Sequence, residues 1–368
     1  MNKSIKKIIS LGLNRIKGKI LTKLSMATKK NFTLPVQVYW TMFNRCNFRC
    51  KMCPQWHRGE TENRSEYCNL AEMKKVVDEM AELGIKSLGL SGGEPLMDQE
   101  LLFGVLEYAN SKGIYTHFGS NGWLLSEKVL RRYDEIGGGH ISLSVDGIGS
   151  THDEIRAFPG SFNKIISVLG LYTQLKLKNV SIKMNTVFSG QNYEQILEII
   201  ALAKKYDVAI FLQPFDSFDY DKINESSSLV DNSFNVQKNK VERIREIVAE
   251  IIETKKKDKG LILNSFEHLK NIPDYFSNRF RINGKCEVFY KNMNIDPFGN
   301  VIPCGYLGPI GNIKKDSIYA IWNSLKAKQA RIKSQNCKQN CMQGCFFDPK
   351  MGELIRSGIY YIARLLKK

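Results

Sequence analysis

Between residues 36 and about 270 two hydrophobic patterns take turns along the chain. Short apolar or alternating runs predict strands over 36–43, 87–91, 115–120, 140–145, 180–187 and 208–214. Longer segments with apolar positions three and four apart predict helices over 70–83, 99–112, 126–135, 162–175 and 193–206. Strands that alternate with helices imply parallel βαβ units. Six such units form an open doubly wound sheet or a partial barrel, and either collects its ligands at the C-terminal strand ends. The stretch 216–240 is polar and irregular, which predicts a surface insertion or lid, and a charged helix follows over 237–260.

Both ends of the chain carry a different pattern. Ile5, Ile9, Leu13, Ile16, Ile20 and Leu24 recur at helical spacing among basic residues, although Gly12 and Gly18 weaken that helix and Lys19 and Lys23 crowd its stripe. At the other end Leu354, Ile355, Ile359, Ile362, Leu365 and Leu366 fall on one face, with Arg356, Arg364, Lys367 and Lys368 on the other. Basic amphipathic helices of this kind lie on anionic membranes or dock on their own domain. The formal charge of +17 is concentrated here: thirteen Lys and Arg precede the first acid, Glu60. The body between is close to neutral, so nucleic acid is not an expected partner. No apolar run approaches the ~18 residues of a membrane-crossing helix, and no signal-peptide core is present, which predicts a cytoplasmic protein with peripheral membrane contact through its termini.

Nine cysteines in a chain of 368 residues with no secretory signal suggest metal rather than disulfides. Three of them lie in Cys46-Asn47-Phe48-Arg49-Cys50-Lys51-Met52-Cys53, just after the first predicted strand. Three thiolates so close can grip three corners of an iron–sulfur cube and leave the fourth iron open for a small molecule. Zinc with His57 as a fourth ligand is the competing reading. Ser91-Gly92-Gly93-Glu94-Pro95 follows the second strand, Ser120-Asn121-Gly122 the third, and Ser144-Val145-Asp146-Gly147, then His152 and Arg156, the fourth. Paired glycines admit a close approach, and a neighbouring acid can hold an ammonium group.

Together, over 36–215, these motifs resemble the radical S-adenosylmethionine (SAM) superfamily. The resemblance implies an α/β fold, a partial (β/α)6 TIM-like barrel, with a [4Fe–4S] cluster on the catalytic Cys46, Cys50 and Cys53 and SAM on the unique iron. It implies SAM contacts from Gly92, Gly93 and Glu94 at the amino end and from Met52 near the adenine. Ser144, Asn185 and Asp146 would reach the ribose, Arg156 the carboxylate, and Ser120 and Asn121 complete the cofactor-binding set. A flavodoxin- or ferredoxin-type protein would donate the electron. His117 and His140, on strand segments, read as structural.

Cysteine returns at Cys286 and Cys304, then at Cys337, Cys341 and Cys345. A short hairpin with its turn at Gly299 precedes Cys304. The set resembles the SPASM or shorter Twitch extension of the same superfamily, a small cysteine-rich C-terminal domain with auxiliary iron–sulfur clusters. Five cysteines fit one auxiliary [4Fe–4S] cluster, with Cys286, Cys304 and Cys345 as ligands and Cys341 or Cys337 as the fourth. A structural zinc site is the alternative. Cys68 stands apart as a buried thiol. The expected organisation is a basic segment 1–35, a barrel 36–270, an auxiliary domain 271–350 and a basic helix 351–368.

The expected activity is cleavage of SAM to a 5′-deoxyadenosyl radical and hydrogen abstraction from a substrate, most simply oxidative maturation of a peptide or protein. With only 35 residues before the barrel, a peptide would need a separate carrier. Dehydrogenation or epimerisation of a sugar or lipid-linked substrate at the membrane is the alternative. A non-enzymatic iron–sulfur or zinc protein on RNA or membrane would explain the charge but not Glu94 and its glycines. Asp216, Asp219 and Tyr220, after the sixth strand, are candidates to face the substrate.

Overall fold

The computed structural model describes residues 3–216, 232–281, 286–343 and 352–353. Six parallel strands form its frame: β1 Gln37–Thr41, β2 Ser87–Ser91, β3 Tyr115–Ser120, β4 Gly139–Ser144, β5 Val180–Phe188 and β6 Ala209–Pro214. They pair in chain order from β1 to β6, with helices packed on the outer face. This is the α/β, mostly parallel architecture that the alternating pattern predicts.

Side-chain alternation explains which face is which. In β1, Val38 and Trp40 are buried against the helices, whereas Tyr39 and Thr41 face the concave side. In β5, Val180, Ile182, Met184, Thr186 and Phe188 are buried, while Lys183, Asn185 and Val187 occupy the alternate positions. Helix starts carry the expected caps. Asn69 and Glu72 form a capping box at Leu70–Glu82, and Asp98 and Ser126 accept N–H bonds at Gln99–Ser111 and Glu127–Glu135.

The predicted strand 36–43 is shorter in the structure because the chain leaves the ladder after Met42 N–H donates to Ser91 O at 2.8 Å. The predicted helix 193–206 divides into a 3₁₀ turn, Tyr193–Gln195, and a helix, Ile196–Lys205. Helices Ser150–Arg156 and Phe266–Phe276 escaped the pattern analysis. The first is short and the second contains Pro273, so periodicity is weak in both. Residues 217–231 of the predicted lid and residues 354–368 of the C-terminal basic helix lie outside the described residues.

The chain beyond 285 continues the same sheet. Strand β7, Asn292–Ile295, pairs parallel with β1, and β8, Asn300–Ile302, and β9, Gly311–Asn312, follow antiparallel. The β7–β8 turn is held by Asp296, whose Oδ1 accepts from Phe298 N at 2.9 Å and Asn300 N at 2.8 Å, with Gly299 at φ +86°. Arg331, on helix Leu325–Gln335, pins this extension. It lies among Phe289, Tyr290 and Trp322 and donates to Phe289 O and Trp322 O.

Helix Lys3–Thr28 lies at the N-terminal ends of the strands. Its Gly18 sits against Val36, immediately before β1. Above that floor His117 and His140 stack in parallel, with ring centroids 4.4 Å apart. Burial pushes His117 down to about 3 and His140 well below its ordinary value, and the charges of Lys183 and Arg15 act the same way. Both imidazoles are therefore neutral in the folded chain. The unfolded chain binds more protons at mildly acidic pH, so this stability is complete above the unfolded pKa of 6.5 and is lost as pH falls toward about 3. We expect the unfolding free energy to fall with acidification below pH 6.5 by about 1.4 kcal/mol per pH unit for each imidazole, and the thermal midpoint to drop with it. His140→Phe should make that slope shallower, read from melting curves across pH.

Candidate active site

A cavity of about 980 Å³ opens at the C-terminal ends of the six parallel strands. Thr41, Ser91, Ser120, Ser144, Asn185 and Pro214 bring one wall from each strand in turn. Cys46, Cys50 and Cys53, on the loop after β1, line it as well.

That loop is built against β2. Gly93 N–H donates to Phe43 O at 2.7 Å, and Glu94 N–H donates to Arg45 O at 3.0 Å. A Cβ on Gly93 would lie 1.8 Å from Arg45 O, and one on Gly92 would lie 2.2 Å from Phe43 O. Gly92 also has φ +142°. The glycines therefore admit the cysteine loop itself to the strand end, a close approach of backbone to backbone. Within the loop, Cys53 N–H donates to Cys50 O at 3.1 Å, and Trp56 Nε1–H donates to Cys50 O at 3.2 Å. Phe48 stacks on Phe158 at 4.2 Å, which anchors the loop to the turn after helix Ser150–Arg156.

Glu94 is fully buried and does not line the cavity. Its Oε1 accepts from Leu96 N at 3.2 Å and Ser120 Oγ at 3.0 Å, and its Oε2 accepts from Asn121 N at 2.7 Å. Burial pushes its carboxyl up to about 7, against the pull of these donors. Here Glu94 ties the end of β2 to the end of β3. Asn121 in turn donates to Asn47 Oδ1 at 2.8 Å, beside Cys46.

Asp146 is also fully buried, away from the cavity lining. It forms an ion pair with Arg156 and accepts from Val187 N at 2.7 Å, while its own N–H donates to His152 Nδ1 at 3.1 Å. Arg156 does line the cavity, and its Nη1 lies 3.9 Å from Cys50 Sγ. Burial opposes its charge, but Asp146 and Cys50 more than offset this and hold it above its ordinary value. Met52, Gly92, Gly93, Asn121, Ser144 and Asn185 all reach the cavity wall.

Burial pushes Cys46 up to about 12 and raises Cys50 and Cys53, and repulsion from neighbouring sulfurs adds to it at Cys46 and Cys50. Such thiols ionise only when a cation offsets their charge. Among the described residues no three His, Cys, Asp or Glu side chains converge as ligands of one metal ion. His57 instead stacks on Trp56 at 3.3 Å.

Residues 40–203 match the model of the radical SAM superfamily, and residues 286–346 match that of an iron–sulfur cluster-binding domain, SPASM. The chain belongs to the radical SAM superfamily. It is 25% identical over 322 residues to the AdoMet-dependent heme synthase of Methanosarcina barkeri, covering 83% of this chain and 87% of that protein. It is also 25% identical over 315 residues to the PqqA peptide cyclase of Rhodopseudomonas palustris, covering 82% and 77%. Among solved structures, Streptococcus suis SuiB bound to precursor peptide SuiA superposes with a TM-score of 0.61 at 15% identity, over 81% of this chain and 67% of that one. Native anSMEcpe with bound AdoMet and Kp18Cys peptide gives 0.63 at 16% identity, over 91% and 99%. At these identities the superpositions speak for the fold. This radical SAM enzyme thus binds SAM and a [4Fe–4S] cluster, and its SPASM domain binds iron–sulfur.

In the SPASM region, Cys286, Cys304 and Cys337 act electrostatically on one another, and Cys304, Cys337 and Cys341 all act on Tyr306. The structure thus gathers these four thiols in one neighbourhood, with Cys304 on the cavity wall. Cys345 lies outside the described residues, as do Asp219 and Tyr220. Cys68 is separate from the group and buried under the β7–β8 turn, its N–H donating to Pro297 O at 2.8 Å. Asp216 lines the cavity and accepts from Gln343 Nε2 at 3.1 Å.

Sequence reasoning missed Tyr39, Arg58, Glu62, Gln213, Asn294 and Asp296, which also line the cavity. The alternation within β1 and β6 points to Tyr39 and Gln213, because each sits on the face opposite the apolar positions. Asn294 and Asp296 gave no signal before β7 was known to pair with β1.

Gly93→Ala should displace the cysteine loop and reduce bound iron and sulfide per chain to a small fraction of wild type. Gly12→Ala, with no atom within 4 Å of the new Cβ, should leave cluster content intact and stabilise by about 0.5–1 kcal/mol. Iron and sulfide analysis with melting curves reads both.

Proposed function

We propose that this radical SAM enzyme oxidatively matures a peptide or protein. The carrying observation is the two-walled cavity. One side is the strand-end wall with Cys46, Cys50 and Cys53, and the other is Asn294, Asp296, Asn300 and Cys304 of the SPASM extension. Amide side chains recur around it, at Asn44, Asn185, Gln213, Asn294 and Gln343. Their carbonyl oxygens can accept from a peptide backbone, while the amide N–H groups of Asn44, Gln213, Asn294 and Gln343 already donate to Glu62, Met342, Ile302 and Asp216. The PqqA peptide cyclase relative and the peptide-bound neighbours support the same substrate class.

When bound, the cluster supplies the electron that cleaves SAM to a 5′-deoxyadenosyl radical. Cys46, Cys50 and Cys53 hold it. Arg156, oriented by Asp146, presents a cation for the carboxylate of SAM, with Met52, Gly92, Gly93, Ser144 and Asn185 around the remainder. In this reading Glu94, Ser120 and Asn121 act by holding the strand ends in place. Cys286, Cys304 and Cys345, with Cys341 or Cys337 as the fourth, would hold one auxiliary [4Fe–4S] cluster, which would supply a one-electron acceptor beside the cavity. A flavodoxin- or ferredoxin-type protein is the proposed donor, with the net charge of +17 available to attract an acidic carrier.

The protein reconstituted anaerobically, reduced and given SAM should form 5′-deoxyadenosine, and Cys50→Ala should form none. Candidate precursor peptides should increase the yield and lose mass as hydrogen, read by mass spectrometry. Turnover of a haem precursor in their place would sink the peptide reading while leaving the radical chemistry intact.

A further inference from the structure

Helix Lys3–Thr28 does not dock through its apolar stripe, one of the two arrangements its pattern allows. The side against the protein is small and polar: Gly18, Thr22 and Ser25 are buried. The apolar stripe faces outward, with Ile9 38%, Leu13 63%, Ile20 58% and Leu24 45% exposed. These four, at i, i+4, i+11 and i+15, share one side of the helix. Lys17 and Lys23 flank them and are exposed too. The helix has seven Lys and Arg and no acid. No helix among the described residues is long and apolar enough to cross a membrane.

The helix also has a defined place. Gly18 packs on Val36 before β1, and Arg15 acts electrostatically on His117, His140 and Lys183 in the lower half of the sheet. It therefore covers the barrel floor, at the opposite end from the cavity. An outward leucine and isoleucine stripe edged by lysines is costly in water and fits the boundary of an anionic bilayer, where apolar burial and charge attraction add. Charge selects among the candidates to cover it. A second copy of this helix is equally cationic, and residues 354–368 carry four basic residues and no acid.

We propose that helix Lys3–Thr28 seats the protein on an anionic lipid surface, with the barrel floor toward the membrane and the cavity mouth toward water. The substrate then arrives from the aqueous side. The inference does not rest on the peptide reading.

Co-sedimentation of the full chain with vesicles tests it. Wild type should pellet with mixed phosphatidylcholine and phosphatidylglycerol, stay in solution with phosphatidylcholine alone, and be released by salt. Leu13→Glu/Ile20→Glu should weaken binding about tenfold or more, with circular dichroism unchanged. Lys17→Glu/Lys23→Glu, which keeps the apolar stripe, should lose the preference for phosphatidylglycerol. With brominated lipid, the added emission of Leu13→Trp should be quenched and the native tryptophan emission, which includes Trp56 at the cavity, should not. Vesicle binding that survives both double variants, or quenching of native emission, overturns the proposal. So does preferential binding of an RNA oligonucleotide, or a dimer that dissociates only in Leu13→Glu/Ile20→Glu.

Discussion

The site depends on one backbone contact, the packing of the cysteine loop on the end of β2. Two hydrogen bonds, from Gly93 to Phe43 and from Glu94 to Arg45, join these segments. They form only because neither glycine carries a Cβ. Glu94 extends the tie to β3 through Ser120 and Asn121, and Asn121 returns it to the loop at Asn47. A flexible loop with three thiols would lose much conformational entropy on gathering them, and the ties to β2 and β3 reduce that cost. Buried donors and acceptors are matched around Glu94, so the arrangement is also costly to disturb.

The same economy explains the second wall of the cavity. The free edge of β1 would be an unpaired row of N–H and C=O groups. Strand β7 covers it in parallel, and the following hairpin carries Asp296, Asn300 and Cys304 to the rim of the same cavity. Cys304 therefore reaches the cavity by continuous sheet pairing. Arg331, sandwiched among Phe289, Tyr290 and Trp322, locks the helix behind that extension.

Charge is handled differently at the two ends of the barrel. At the mouth, buried Asp146 balances Arg156 beside Cys50, leaving a cation where anionic thiolates and a carboxylate ligand would gather. At the floor, the stacked His117 and His140 stay neutral beside Lys183 and Arg15, because burial removes any gain from protonation.

Strand and helix order, the cysteine triad and the strand-end motifs can all be read from the chain before it folds. Periodicity and ligand spacing are local properties, and each is set by residues within a few positions of one another. Tertiary structure decided what required two distant segments. It turned Glu94 and Asp146 away from the cavity, because each found partners on a neighbouring strand end. It also placed Asn294 and Asp296 in the wall, because β7 pairs with β1 across some 250 residues. The amphipathic pattern of the first helix predicted a two-sided element but not which side would be buried. Close packing at Gly18 against Val36 chose the small side, since a helix can approach a sheet floor only where its side chains are short.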